Sequence, residues 1–258
     1  MEPIENLRLP PVLTGEAVDP PLRGELRYGL EFARLMCDPT FLRPGRHANA
    51  PPVLLVPGFM AGDTSLAVLR GWLRRRGSRT SSAGIRLNID CAERGVGRLE
   101  VPLRKLAQRA GRRVVVIGQS RGGEFARVLA VRNPDIVSTL IMLGSPVLEP
   151  LSVGRTVLWA LRSAARLGDL GVPGMLSMQC ADGECCARFR DNLGEPLTPD
   201  VRAVAIYSRS DGFVSWRACL DPCARQVEVE SSHTGMSVSL AVYRVLAEIL
   251  QEEPAWSG

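Results

Sequence analysis

The sequence predicts an α/β protein: a mainly parallel central sheet with helices on both faces, interrupted by an insertion. Three observations predict it. Short aliphatic and β-branched runs alternate with amphipathic segments over residues 51–146 and again over 200–258. One of these runs, Val114-Val115-Val116-Ile117, turns into a helical pattern through a glycine-flanked serine. Between residues 147 and 199 the alternation lapses, which marks an insertion expected to cap the carboxyl edge of the sheet.

A chain of 258 residues suits one sizeable domain with a smaller addition. Its 45% apolar and 23% charged content is that of an ordinary globular protein. The net charge of +5 rests almost wholly on arginine, Lys105 being the only lysine. No aromatic platform interleaves the basic stretches, so they are read as solvated faces and no nucleic-acid partner is expected. No run reaches the length of a membrane span, and the first residues carry neither a basic nor an apolar leader region; the expected location is the cytoplasm.

Taken in order, residues 1–21 form a proline-rich arm and residues 22–36 a helix, the two making up an N-terminal unit that closes at residue 50. Residues 39–52 read as a loop, in which His47 is taken as an exposed polar residue. Val53-Leu54-Leu55-Val56 is a buried strand ending in Pro57-Gly58-Phe59-Met60. A helix over 64–76 follows, with Leu66, Leu69, Trp72 and Leu73 on one side. Residues 85–89 alternate as a strand should, 90–97 read as a charged loop, and 101–110 as a helix. After the strand at 114–117 come a helix from Gly122, a strand at 137–143 and, inside the insertion, an amphipathic helix over 157–167. Strands at 201–207 and 226–229 and a closing helix over 236–250 complete the pattern.

The run RVVVIGQSRGGEFARV organises the rest. A strand that must reverse into a helix within about three residues holds the intervening serine in a strained conformation, its hydroxyl raised at the helix N-terminus; Gly118, Gly122 and Gly123 permit the close backbone approach. Ser120, Asp211 and His233 all lie just past strand ends, and the carboxyl ends of parallel strands converge on one edge. A hydroxyl becomes a nucleophile when an imidazole takes its proton and a carboxylate orients that imidazole. Of two histidines, only His233 follows a late strand. Among Asp211, Asp221, Glu228 and Glu230, Asp211 is preferred as the acid because its Asp-Gly turn directly follows a buried strand.

Pro57-Gly58-Phe59, GQSRGG (118–123), SRSDG (208–212) and SSHTGM (231–236), in the order Ser, Asp, His, resemble an α/β-hydrolase of the lipase and esterase type. The resemblance covers about 51–146 and 200–250. It implies the α/β-hydrolase fold, an oxyanion hole built from the backbone N–H groups of Phe59 and Arg121, with Met60 a less favoured donor, and hydrolysis of an ester through an acyl-serine. No metal or other cofactor is expected. The partner is a small-molecule ester with an apolar acyl chain, which the cap side chains Leu158, Trp159, Leu161, Met175, Leu176 and Met178 would favour; Met60, Gln119 and Trp159 are the residues expected at the substrate. An acyltransferase using the same acyl-enzyme, or a silent fold acting as a binding protein, would share most of this sequence.

Seven cysteines complete the inventory. Cys180, Cys185, Cys186, Cys219 and Cys223 cluster in sequence, with Cys37 and Cys91 apart. The gaps fall in the loose range for zinc ligands, but the two-residue gap is absent. A disulfide between the 180–186 and 219–223 segments is a second option, and small buried thiols are the preferred one.

Overall fold

The computed structural model describes residues 22–252; the arm expected over 1–21 lies outside them. Six strands, β1 (Val53–Val56), β2 (Thr80–Ser82), β3 (Val114–Gln119), β4 (Val137–Leu143), β5 (Arg202–Tyr207) and β6 (Arg225–Glu228), form one sheet in the order β2-β1-β3-β4-β5-β6, and every pairing is parallel. The chain leaves β1 for the β2 edge and returns to the other side of β1 as β3. The strand order therefore reverses between β1 and β3, where open α/β sheets form their crevice.

Both faces of the sheet are covered, which is why the central strands are continuously apolar rather than alternating. Leu54, Val56, Val114, Val116, Leu140 and Met142 point to one side. There they meet Leu99, Leu103 and Leu106 of α4 (Ala92–Ala110), Phe125, Val128 and Leu129 of α5 (Arg121–Arg132), and Phe189 and Leu193 of α8 (Ala187–Gly194). Val53, Leu55, Val115, Ile117, Ile141 and Leu143 point the other way. They pack on α1 (Tyr28–Cys37), α2 (Pro39–Leu42), α3 (Ala67–Arg75) and α9 (Leu240–Gln251), chiefly through Leu35, Phe41, Trp72 and Leu246.

Two departures from the sequence pattern bear on function. Residues 85–89 form no strand. The short β2 at 80–82 takes the edge place beside β1, and the 85–89 segment instead sends its polar groups to the loop after β1: the Asn88 amide N–H donates to the Ala61 carbonyl at 2.9 Å, and the Met60 N–H donates to the Asn88 carbonyl at 3.2 Å. Of the charged residues of 90–97, expected as a loop, Glu93 and Arg94 lie in the first turn of α4, while buried Asp90 precedes it. That helix begins at Ala92, runs through Pro102 and buries Val96, Leu99, Leu103 and Leu106 at three- and four-residue spacing. The loop expected over 39–52 contains the short α2, and the helix expected over 22–36 is a 3-10 turn, Leu22–Arg27, running into α1.

Between β4 and β5 lie α6 (Arg155–Asp169), α7 (Gln179–Asp182) and α8. α6 turns Leu158, Ala164 and Ala165 inward. α8 lies against α5, with the Phe125 and Phe189 rings edge to face at 5.7 Å.

Candidate active site

Ser120 occupies the step from β3 to α5 with φ 54° and ψ −128°. It is one of two described non-glycine residues with positive φ; the other is Met60, at 55°. Such angles cost an L-residue on the order of 1–3 kcal/mol and persist only where the surroundings over-determine them. The surroundings here are backbone. A Cβ on Gly118 would collide with the Gly122 carbonyl, and one on Gly122 with the carbonyls of Val56 and Pro57. The Ser120 N–H donates to the Leu143 carbonyl at 2.8 Å, and the Gly123 N–H to the Ser120 carbonyl at 2.8 Å.

The loop after β1 crosses directly over this turn: a Cβ placed on Gly58 would lie 3.1 Å from the Ser120 Cβ and 3.8 Å from its Oγ. Asn88 pins the loop a third time, its Nδ2 donating to the Pro57 carbonyl at 2.8 Å. Arg121 completes the brace. Its guanidinium donates to the Asn88 carbonyl and Oδ1 at 3.2 and 3.1 Å and to the Asp90 carbonyl at 2.6 Å, and it lies over the Phe125 ring at 4.8 Å and the Phe59 ring at 5.8 Å. Since the Met60 N–H is taken by Asn88, Phe59 is the better-suited donor of the loop. Arg121, as first residue of α5, has an N–H with no acceptor inside its helix.

On the other side of Ser120, His233 and Asp211 are buried together, Nδ1 to Oδ2 at 2.6 Å. The second carboxylate oxygen accepts from the N–H groups of Phe213 and Val214 at 2.8 and 2.7 Å, and the Phe213 ring stands edge-on to the imidazole at 5.7 Å. An ionised carboxylate only accepts, so Nδ1 carries the proton and Nε2 is left as the free base. Burial alone would depress the proton affinity of His233. The charge of Asp211, its hydrogen bond and the charge of Glu25 outweigh that, and the imidazole is held above its ordinary 6.5.

Two glutamates from the N-terminal segment, which sequence reasoning did not single out, hold the histidine loop. Glu25 Oε1 accepts from the N–H groups of Gly212 and His233 at 3.0 and 2.7 Å, and Oε2 from the N–H and hydroxyl of Thr234 at 3.0 and 2.7 Å. Buried Glu31 accepts from the N–H and hydroxyl of Ser232 at 2.8 and 2.7 Å. No local signal could have revealed them, because their partners lie about two hundred residues away in the chain.

Of the residues expected at the substrate, Gln119 and Met60 line a cavity of about 430 Å³ shared by Ser120 and His233. Gln119 also straps the site together, its Nε2 donating to the His233 carbonyl at 3.0 Å. Trp159 is placed elsewhere. It is 72% exposed on the outer side of α6 and lines neither cavity, because one helical step separates it from the inward-facing Leu158. A larger cavity of about 770 Å³ opens on the other flank of Ser120, lined by Phe59, Arg121, Leu148, Leu161, Leu176, Phe189 and Glu124 among others. Glu124 is buried there, and desolvation pushes its carboxyl up to about 8 against the opposing charge of Arg121.

The competing acids are committed to other partners: Asp221 to Arg127 in a buried pair at 2.6 Å, Glu228 to Arg209 at 3.0 Å and Glu230 to Arg27 at 2.6 Å. His47 is remote, its Nε2 2.8 Å from the Arg76 guanidinium.

A six-stranded parallel sheet covered on both faces, with a strained serine at the switch point, defines the α/β-hydrolase fold, and comparison with solved structures agrees. The mature form of a Bacillus licheniformis lipase, BlEst2, superposes with a TM-score of 0.60 at 16% identity, over 80% of this chain and 94% of that one. The product of gene lin2722 from Listeria innocua gives 0.52 at 15% over 81% and 96%. An α/β hydrolase from lagoon-sediment metagenome, MGS-MChE2, gives 0.51 at 17% over 81% and 93%. No protein-family model matches the chain, and no curated protein matches it in sequence.

Proposed function

We propose that this protein is a serine hydrolase that cleaves carboxylic esters through an acyl-serine intermediate. The observation that carries the reading is that His233, paired with buried Asp211, lines the same cavity as a strained serine, with the loop after β1 laid across that serine. In this reading the Ser120 Oγ attacks the ester carbonyl carbon while its proton passes to Nε2 of His233. The negative charge arriving on the carbonyl oxygen is met by the N–H groups of Phe59 and Arg121. One such donor is worth about 3–4 kcal/mol of barrier in comparable sites. Collapse expels the alcohol, which leaves with the proton from His233, and water repeats the sequence in reverse to free the acid. Asp211 holds the imidazole in the required tautomer and stabilises its protonated form.

The two cavities meeting at Ser120 suit the two halves of an ester. The larger is walled mainly by aliphatic and aromatic side chains, which favours an apolar acyl chain there, with the alcohol on the His233 side. Activity on p-nitrophenyl esters of increasing chain length should rise with acyl length until the larger cavity is filled. Ser120→Ala should lower kcat by at least about 10⁴-fold. Hydrolysis that persists undiminished in that variant would end the reading.

A further inference from the structure

Four thiols from two distant parts of the chain meet beside the larger cavity, whose wall includes one of them, Cys180. Cys91 caps the start of α4, while Cys180, Cys185 and Cys186 come from α7 and the turn after it. Their sulfur atoms all lie within 4.8 Å of one another, with Cys91 to Cys186 at 3.4 Å, Cys185 to Cys180 at 3.8 Å and Cys185 to Cys186 at 3.9 Å. A tetrahedral zinc ion with bonds of about 2.3 Å to sulfur requires sulfurs about 3.8 Å apart along every edge. No spacing in the sequence announces the set, because its fourth member is 95 residues from the nearest of the others in space. Cys219, which the sequence suggested as a partner for this segment, is buried in a separate cluster with Val153, Leu158 and Val214.

We propose that Cys91, Cys180, Cys185 and Cys186 bind one zinc ion that fastens the segment between β4 and β5 to the body of the fold. The surroundings fit a thiolate centre. The Ser177 N–H donates to the Cys180 sulfur at 3.3 Å, which helps a metal-bound thiolate hold its charge. Binding releases the four thiol protons to solvent and leaves a centre of net charge −2; the guanidinium groups of Arg94 and Arg121 both lie within electrostatic reach of Cys91 and Cys180. A softer set than four thiolates is not available from side chains, so zinc is favoured over magnesium or calcium. The role is structural, since four protein ligands leave no open position for substrate or water. It still bears on the cavity, because Cys180 and its neighbours Ser177 and Ala181 form part of the wall.

The whole protein, purified without chelator from zinc-supplemented cells, should contain one zinc per chain by mass spectrometry of the metal. A mercurial thiol reagent should release that zinc quantitatively. Cys91→Ser and Cys186→Ser should lose it, whereas Cys37→Ser and Cys223→Ser should keep it. Cobalt exchanged into the wild type should give a thiolate charge-transfer band and tetrahedral ligand-field bands, a reading that does not depend on whether the serine variants fold. Any of four results overturns the proposal: wild type without stoichiometric metal, iron in place of zinc, cobalt spectra of octahedral type, or five rather than seven reactive thiols in the unreduced, unfolded protein, which would mean a disulfide. Because none of these readouts is catalytic, they stand or fall separately from the hydrolase reading.

Discussion

Glu124 illustrates how much one buried carboxyl can decide. Its proton affinity is raised from 4.5 to about 8 by desolvation. The folded chain therefore holds a proton that the unfolded chain has released throughout that interval, and stability falls as pH rises from 4.5 through about 8. The loss amounts to several kcal/mol by the usual conversion of about 1.4 per unit. Glu124→Gln keeps the shape and removes the titration, so its melting temperature should exceed that of the wild type at pH 8 and match it near pH 4. Parallel melting curves for the two proteins across that range would contradict the assignment. The strand-end positions of Ser120 and Asp211 were legible because their surroundings are local: glycines on either side of one, a strand and a turn before the other. Glu124 was not, since a glutamate in the first turn of a helix normally faces water, and only the fold shows this one facing a cavity.

At the scale of elements, the aliphatic runs of β1, β3 and β4 could be read directly, because a strand buried on both faces favours apolar side chains over alternation. The misreadings came where pattern and partner diverged. Residues 85–89 alternate but have no ladder to join, and the Glu and Arg residues of 93–98 are the wet side of α4, a helix whose dry side is carried by Gly95, Val96 and Leu99. The unladdered segment has its own use, as the seat of Asn88, which holds the loop after β1 at three points. Asn88→Ala keeps the two main-chain bonds but removes the tie to the Pro57 carbonyl and an acceptor of Arg121, which should loosen the loop and blur the position of the Phe59 N–H. We expect kcat to fall about 10- to 100-fold with little change in KM, the pattern of a group that acts on the transition state. A rise in KM with kcat unchanged would mean that Asn88 serves substrate binding instead.

For the molecule as a whole, the strand alternation announced the sheet and its carboxyl edge, yet the long-range ties across it left no trace in the sequence. The clamp by Glu25 and Glu31 joins the N-terminal helices to the loop after β6, and the thiol cluster joins the β4–β5 segment to α4. Four hydrogen bonds hold the half-buried Glu25 carboxyl below its usual 4.5 even though burial, the largest influence, acts to raise it. It is thus charged wherever the protein is at work. Removing that charge in Glu25→Gln takes away one of the influences that keep His233 above 6.5, so the acidic limb of the kcat/KM profile should move to lower pH. An unmoved limb would show that Asp211 alone sets the imidazole.

The glutamate clamp also places the protein in time. Glu25 and His233 are 208 positions apart, and Glu31 and Ser232 are 201 apart. A ribosome delivers the anchors before the loop they secure, so a nascent chain carries Ser120 before it carries the imidazole that we propose activates it. In the hydrolase reading the serine waits for its base until that loop has been made, and the unfinished polypeptide is spared an untimely nucleophile.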